Sequence, residues 1–229
     1  MTFPTVKAVL FDAYGTLFDV HAPVARVAAE LGENASAISD LWRAKQLQYT
    51  WLRSLMGVHA DFEQVTADAL DYALGQFGVN DRTMRDRLLG LYLTLDAYPD
   101  AVSALRRLKR HGIATGILSN GSPKMLDSAV ASAGFGNLLD HVLSVEPVGI
   151  YKPDPSVYRL GEHHLRLPAS EIGFVSANGW DAAGAAQYGF NVIHLNRFDQ
   201  PREVLPAGPA LELKTLDEAA AALTGAPPA

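Results

Sequence analysis

The chain has 229 residues, 48% hydrophobic and 19% charged, and a formal net charge of -6 from 25 acidic and 19 basic side chains. This length and composition fit one packed domain, or a core domain with a smaller insert, and exclude a disordered chain. The absence of cysteine excludes disulfides, thiolate metal sites and a cysteine nucleophile, and the acidic balance argues against nucleic acid as a partner.

Val6 to Phe11 is a short apolar run that stops at Asp12-Ala13-Tyr14-Gly15-Thr16, as a buried strand meeting a loop would. About eighty residues of helical periodicity follow, with helices expected over Pro23 to Leu31, Ile38 to Met56, Phe62 to Phe77 and Arg82 to Leu95. Asp100 is placed to N-cap a helix running to His111 and closed by Gly112. Strand and helix then alternate. Strands are expected over Ile113 to Leu118, Val142 to Val145, Ile172 to Val175 and Val192 to Leu195, with helices over Pro123 to Ala133, Pro155 to Leu165 and Asp181 to Tyr188. A last short helix is expected over Leu216 to Leu223, with residues 225–229 as a frayed tail.

This order predicts an α/β fold: a Rossmann-like, doubly wound parallel sheet with an inserted helical cap. The core domain is expected over residues 1–19 and 98–229, and the cap over 20–97. No apolar stretch approaches the ~18 residues of a membrane span, so a cytoplasmic protein without a membrane partner is expected.

In an open parallel sheet, ligands bind beyond the carboxyl ends of the strands. Those ends carry Asp12, then Ser119-Asn120-Gly121-Ser122, then Tyr151-Lys152-Pro153-Asp154, then Ser176-Ala177-Asn178-Gly179-Trp180-Asp181. Each has a bland reading: Asp12 as a loop acid, Ser119 or Ser122 as a helix cap, Lys152 as a surface charge, Asp181 as an N-cap. Convergence of all of them on one rim favours a site. Other motifs fail. Gly134-Phe135-Gly136 lacks the third glycine of a dinucleotide fingerprint, and no phosphate loop or nucleophile elbow occurs. The adjacent His163 and His164 diverge by about 100° on a helix and would not chelate together.

The segments Phe11–Leu17, Leu118–Pro123, Tyr151–Asp154 and Ser176–Asp181 resemble the four motifs of the haloacid dehalogenase superfamily. In the expected cap, Leu41-Trp42-Arg43-Ala44-Lys45-Gln46-Leu47 and Tyr49-Thr50-Trp51-Leu52-Arg53 resemble the (S)-2-haloacid dehalogenases within it. The likeness covers nearly the whole chain and fades after about Arg197. It implies hydrolysis of (S)-2-haloalkanoic acids to (R)-2-hydroxyacids plus halide, by attack of Asp12 on C2 with inversion and hydrolysis of an aspartyl ester.

The same resemblance assigns catalytic roles to Asp12, Thr16, Arg43, Ser119, Lys152, Tyr158, Ser176, Asn178 and Asp181. It assigns substrate contacts to Ala13, Tyr14, Arg43, Phe62, Ser119, Asn120 and Trp180. Ser119 and amides near Tyr14 would hold the substrate carboxylate, and Arg43, Asn120 and Phe62 the halide. Lys152, Ser176, Asn178 and Asp181 would position nucleophile and water, with Trp180 as an apolar wall.

Most of the superfamily are magnesium-dependent phosphatases with a second aspartate two residues after the nucleophile, acting as acid for the leaving alcohol. Here that position is Tyr14, and a halide leaves without a proton. The last motif also offers Ser176, Ala177 and Asn178 where the phosphatases place metal-binding acid, so no metal and no cofactor is expected. Lys152 and Arg43 would instead offset the repulsion between Asp12 and an anionic substrate. Position 177 is Ala where family members can carry serine. A phosphatase of the same superfamily, or an inactive binding protein that kept the fold, are the competing readings.

On the helix expected over 38–56, Arg43, Thr50 and Ser54 share one flank. Ile38, Trp42, Tyr49, Leu52 and Met56 cover the opposite side, and Leu47, Trp51 and Leu55 form a second apolar strip. Two strips exceed what one core contact requires, so a homodimer is expected.

Overall fold

In the computed structural model, which describes residues 4–225, the chain opens with β1 (Ala8–Phe11) and then runs through helices alone. These are α1 (Ala22–Ala25), α2 (Ala28–Leu31), α3 (Ala35–Met56), α4 (Phe62–Gln76) and α5 (Arg82–Leu93). The alternating part follows as α6 (Ala101–Arg110), β2 (Ala114–Ser119), α7 (Pro123–Ser132), β3 (His141–Ser144), α8 (Pro155–Leu165) and β4 (Ile172–Ser176). It ends with α9 (Gly179–Tyr188), β5 (Asn191–Leu195), β6 (Leu211–Leu213) and α10 (Leu216–Thr224). Of the expected tail, residues 226–229 lie outside the described residues.

The six strands form one sheet in the order β3-β2-β1-β4-β5-β6, and every pairing is parallel. β1 and β4 are buried along their whole length, which is why Ala8–Phe11 and residues 172–175 read as unbroken apolar runs. Strand order reverses beside β1, the switch point at which such sheets bind ligands. Register brings the chemistry there: Phe11 lies opposite both Ile117 and Val175, so the residues that follow leave the sheet along one edge. The helices between β1 and α6 form the inserted cap. Among the described residues no helix is long and apolar enough to cross a membrane.

Several expectations are corrected. The helix expected over 23–31 breaks at Arg26-Val27, where the Val27 amide donates to the Val24 carbonyl in a tight turn that keeps both valines buried. Asp100 stands at the N-cap of α6 without capping it. Its carboxylate instead accepts from Arg197 and from the backbone amide of Leu216 at the start of α10. Asp181 is no N-cap but lies in the first turn of α9, and Ser122 does cap α7. β6 was not expected at all.

On α3, Thr50 is buried and Ser54 accepts from the Tyr151 amide, so the Arg43 flank faces the core domain. Leu52 and Met56 do not face inward with Trp42: they are 44% and 72% exposed, beside Leu55 at 84%. Trp51, expected in the second apolar strip, packs edge-on against Trp180 of the same chain, with ring centroids 5.4 Å apart. Helical period separates the faces of α3 but does not tell how far along the axis its neighbours reach.

Candidate active site

Asp12 follows β1 directly, and its amide still donates to the Val175 carbonyl, continuing the sheet pairing by one residue. The loop then turns at Gly15, whose φ of +91° is open to glycine at little cost. That turn brings Thr16 back so that its hydroxyl donates to Asp12 Oδ2 at 3.2 Å. The same Oδ2 accepts from Asn178 Nδ2 at 2.7 Å, while Oδ1 accepts from Lys152 Nζ at 3.2 Å. Asp12 is 6% exposed.

Lys152 is 1% exposed and also donates to Asp181 Oδ2 at 2.8 Å. Its ammonium lies 4.9 Å from the centre of the Phe174 ring. Burial alone would favour the neutral amine, but the Asp12 and Asp181 charges outweigh it and hold the lysine above its ordinary value. Asp181 is fully buried, and that burial raises its carboxyl to about 6 against the pull of Lys152. Three donors secure it: Lys152, Tyr158 Oη on Oδ1 at 2.8 Å, and Ser176 Oγ on Oδ2 at 3.3 Å. Tyr158 reaches it because α9 carries Gly184 where α8 crosses. A Cβ there would stand 2.5 Å from the Tyr158 oxygen.

Asn178 occupies the N-cap position of α9 without capping it, its side chain being engaged elsewhere. Besides Asp12, its Nδ2 donates to the Tyr14 carbonyl at 3.1 Å, and its Oδ1 accepts from Arg43 Nη2 at 3.2 Å. Arg43 reaches down from α3 in the cap, and Nη2 also donates to the Tyr14 carbonyl at 3.1 Å. Asp12, Thr16, Arg43, Lys152, Tyr158, Ser176, Asn178 and Asp181 thus form one connected network. Tyr158 sits behind Asp181 and is itself fully buried.

The remaining expected residues surround this network. Ser119 Oγ accepts from the Gly121 amide at 3.1 Å, shaping the turn after β2. Asn120 Oδ1 accepts from the Lys152 backbone amide at 3.0 Å, tying that turn to the lysine loop. Ala13 is buried, and its carbonyl receives the amides of Thr16, Leu17 and Phe18. Phe62 and Tyr14 pack with centroids 5.3 Å apart. A cleft of about 360 Å³ opens beside the network, lined in part by Gly15, Arg43, Leu47, Asn178 and Trp180. Ala177 costs the network nothing visible: its backbone amide donates to Thr16 Oγ at 2.8 Å, a contact that no side chain at 177 supplies.

Sequence reasoning missed three residues. Gln46 is buried on the Arg43 face of α3 and accepts from Arg43 Nη1 at 2.8 Å; its spacing of three from Arg43 was the available signal. Tyr92 stacks on Tyr14 at 5.7 Å, and Arg197 donates to the Thr16 carbonyl at 3.2 Å; neither carried a local signal.

The donors present do not fit a magnesium ion. Among the described residues no three His, Asp or Glu side chains converge on one point, and between Asp12 and Asp181 stands the Lys152 ammonium.

Comparison with known proteins identifies the family. The profile of haloacid dehalogenase-like hydrolases matches residues 6–189. (S)-2-Haloacid dehalogenase 1 of Pseudomonas sp. (strain CBS-3) is 46% identical over 214 residues, 93% of this chain and 94% of its own. (S)-2-Haloacid dehalogenase 4A of Burkholderia cepacia is 45% identical over 87% of each chain. The structure of L-2-haloacid dehalogenase from Xanthobacter autotrophicus with chloropropionic acid covalently bound is similar, with a TM-score of 0.90 and 35% identity over 96% of this chain and 99% of that one. The chain belongs to the haloacid dehalogenase-like hydrolase family, among its (S)-2-haloacid dehalogenases.

Proposed function

We propose that this protein hydrolyses (S)-2-haloalkanoic acids to (R)-2-hydroxyacids and halide, with Asp12 as nucleophile. The observation that carries the reading is the Asp12 carboxylate, anchored by Lys152, Thr16 and Asn178, with the Arg43 guanidinium on the far side of that same Asn178. An Asp12 oxygen attacks C2, the carbon–halogen bond breaks with its electron pair leaving on the halide, and C2 inverts. Arg43, with Asn120 and Phe62, receives the halide. Ser119 and the amides around Ala13 and Tyr14 hold the substrate carboxylate, and Trp180 walls the alkyl group.

Water then attacks the Asp12 ester carbonyl and gives its proton to Asp181. The hydroxyacid oxygen leaves and takes a proton back, while the regenerated Asp12 releases one to solvent. Lys152, Ser176 and Tyr158 hold Asp181 in place for this step. The hand of the reaction rests on the named relatives, and the ester on the covalently bound chloropropionic acid of the Xanthobacter autotrophicus protein. Lys152 and Arg43 supply the positive charge, and no step runs through a metal or other cofactor.

The core is read as residues 1–19 and 98–229 and the cap as 20–97. Leu52, Leu55 and Met56 form an apolar patch at the end of α3 that supports a homodimer.

The test sets halide release from (S)-2-chloropropionate beside phosphate release from para-nitrophenyl phosphate, before and after exhaustive chelation. Halide release that survives chelation, with (R)-lactate as product, is expected. Phosphate release instead would assign a phosphatase, neither product an inactive binding protein, and activity restored by Mg²⁺ would overturn the metal-free reading.

A further inference from the structure

Gln46 is a neutral amide at 1% exposure in the middle of α3, and a buried amide is costly unless its atoms are paired. Its Oε1 accepts from Arg43 Nη1 at 2.8 Å and from Tyr92 Oη at 3.1 Å. Its Nε2 donates to Thr66 Oγ1 at 2.7 Å, which in turn donates to the Phe62 carbonyl at 2.6 Å. The amide orientation is dictated, because a guanidinium can only donate and the Thr66 proton is already committed. Three helices of the cap therefore meet on one side chain, and its oxygen faces the guanidinium at the cleft.

We propose that Gln46 is a positioning residue for the departing halide: it fixes the direction of the Arg43 guanidinium while leaving its positive charge uncancelled. The inference rests on the reading that Arg43 receives the halide. Arg43 also meets neutral oxygens elsewhere: the Tyr14 carbonyl, Asn178 Oδ1 and the Tyr92 hydroxyl. A carboxylate at position 46 would hold the guanidinium as firmly but form an ion pair with it, weakening its pull on a developing anion. The network reaches the nucleophile loop twice, because Arg43 donates to the Tyr14 carbonyl while Tyr92 stacks on the Tyr14 ring. A Gln46 that only joined α3 to α4 and α5 would affect stability, and all substrates alike.

Leaving-group dependence separates the two roles. Chloride departs less readily than bromide and needs more stabilisation in the transition state, so a weakened Arg43 should penalise chloride more. Single-turnover halide release is measured for (S)-2-chloropropionate and (S)-2-bromopropionate, with thermal melting alongside. Gln46→Glu, which keeps size and shape, should slow chloride release on the order of 100-fold and bromide release about 10-fold. Gln46→Met keeps the length of the side chain, removes the oxygen that Arg43 Nη1 meets, adds no charge, and should shift the ratio in the same direction by less. It decides the matter alone if Gln46→Glu does not fold. A bromide-to-chloride ratio unchanged in the folded variants overturns the inference while the functional reading stands. A parent protein that releases neither halide overturns both.

Discussion

Replacing Lys152 with Met removes the positive charge between two buried carboxylates and leaves an apolar side chain of similar length. Lys152 Nζ lies 3.2 Å from Asp12 and 2.8 Å from Asp181. The contacted oxygens are thus no more than about 6 Å apart, and bare charges at that separation repel by about 3 kcal/mol at an effective dielectric near 20. Removing one partner of a buried pair costs about 3–5 kcal/mol in general, so a loss of about 3 kcal/mol is expected at pH 8.5. Burial already raises Asp181 to about 6 while Lys152 pulls it down, so losing the lysine raises it further. A carboxyl whose folded value exceeds its unfolded one adds stability at low pH and loses it as pH rises through the folded value. The variant's deficit should therefore be small near pH 5 and grow towards pH 8.5. Urea denaturation at the two pH values measures it, beside halide release, which should fall at least about 10³-fold because attack and ester hydrolysis both lose their cation. A deficit that does not change with pH, or turnover near that of the parent, would refute the reasoning.

Arg43→Ala should lower turnover by about 10²–10³-fold or more with an unchanged circular dichroism spectrum; a folded variant of near-normal rate would make Arg43 a cleft-lining bystander. Light scattering should give about twice the chain mass of 24.6 kDa for the parent and a single chain mass for Leu55→Glu, which puts a charge into the apolar patch of α3. A monomeric parent leaves that patch without a partner copy. A single turnover with excess enzyme in ¹⁸O-water should give unlabelled hydroxyacid and a labelled peptide containing Asp12. Label in the first-turnover product and none at Asp12 would mean that water, not Asp12, attacks C2.

The parallel core was legible because a strand buried on both faces carries its own signal: Val9, Leu10 and Phe11 are all buried, and the sequence shows them as one apolar run. β6 was not, because three residues with Glu212 at their centre are too short to show a period, and as an edge strand they need no apolar face. The site was legible wherever its residues stand at the carboxyl ends of strands, since the chain itself delivers Asp12, Ser119 and Ser176 to one edge. Arg43 lies far from that edge in sequence, and its placement came from family resemblance, as did Phe62. Capping statistics misled at Asp100 because a carboxylate suited to a helix start is equally suited to an arginine, and the tertiary partner won.

Asn178 explains why Asp12 and Arg43, the proposed nucleophile and leaving-group cation, keep a fixed relation although they belong to different parts of the fold. Its Nδ2 faces only acceptors, Asp12 Oδ2 and the Tyr14 carbonyl, and its Oδ1 faces only a donor, Arg43 Nη2. An amide is the side chain whose two ends meet both demands, and its rigid plane sets the spacing between them. An aspartate there would repel Asp12 and form an ion pair with Arg43, weakening both ends of the proposed displacement at once. The cap therefore completes the network through two contacts on the Asp12 side, Arg43 on Asn178 and Arg43 on the Tyr14 carbonyl. Tyr14, packed between Phe62 and Tyr92, joins those cap aromatics to the loop that begins at Asp12. Where an acid two residues after Asp12 would have to be solvated or paired, a tyrosine instead joins the seam between the cap and the core. A reaction whose leaving group needs no proton can accommodate that exchange.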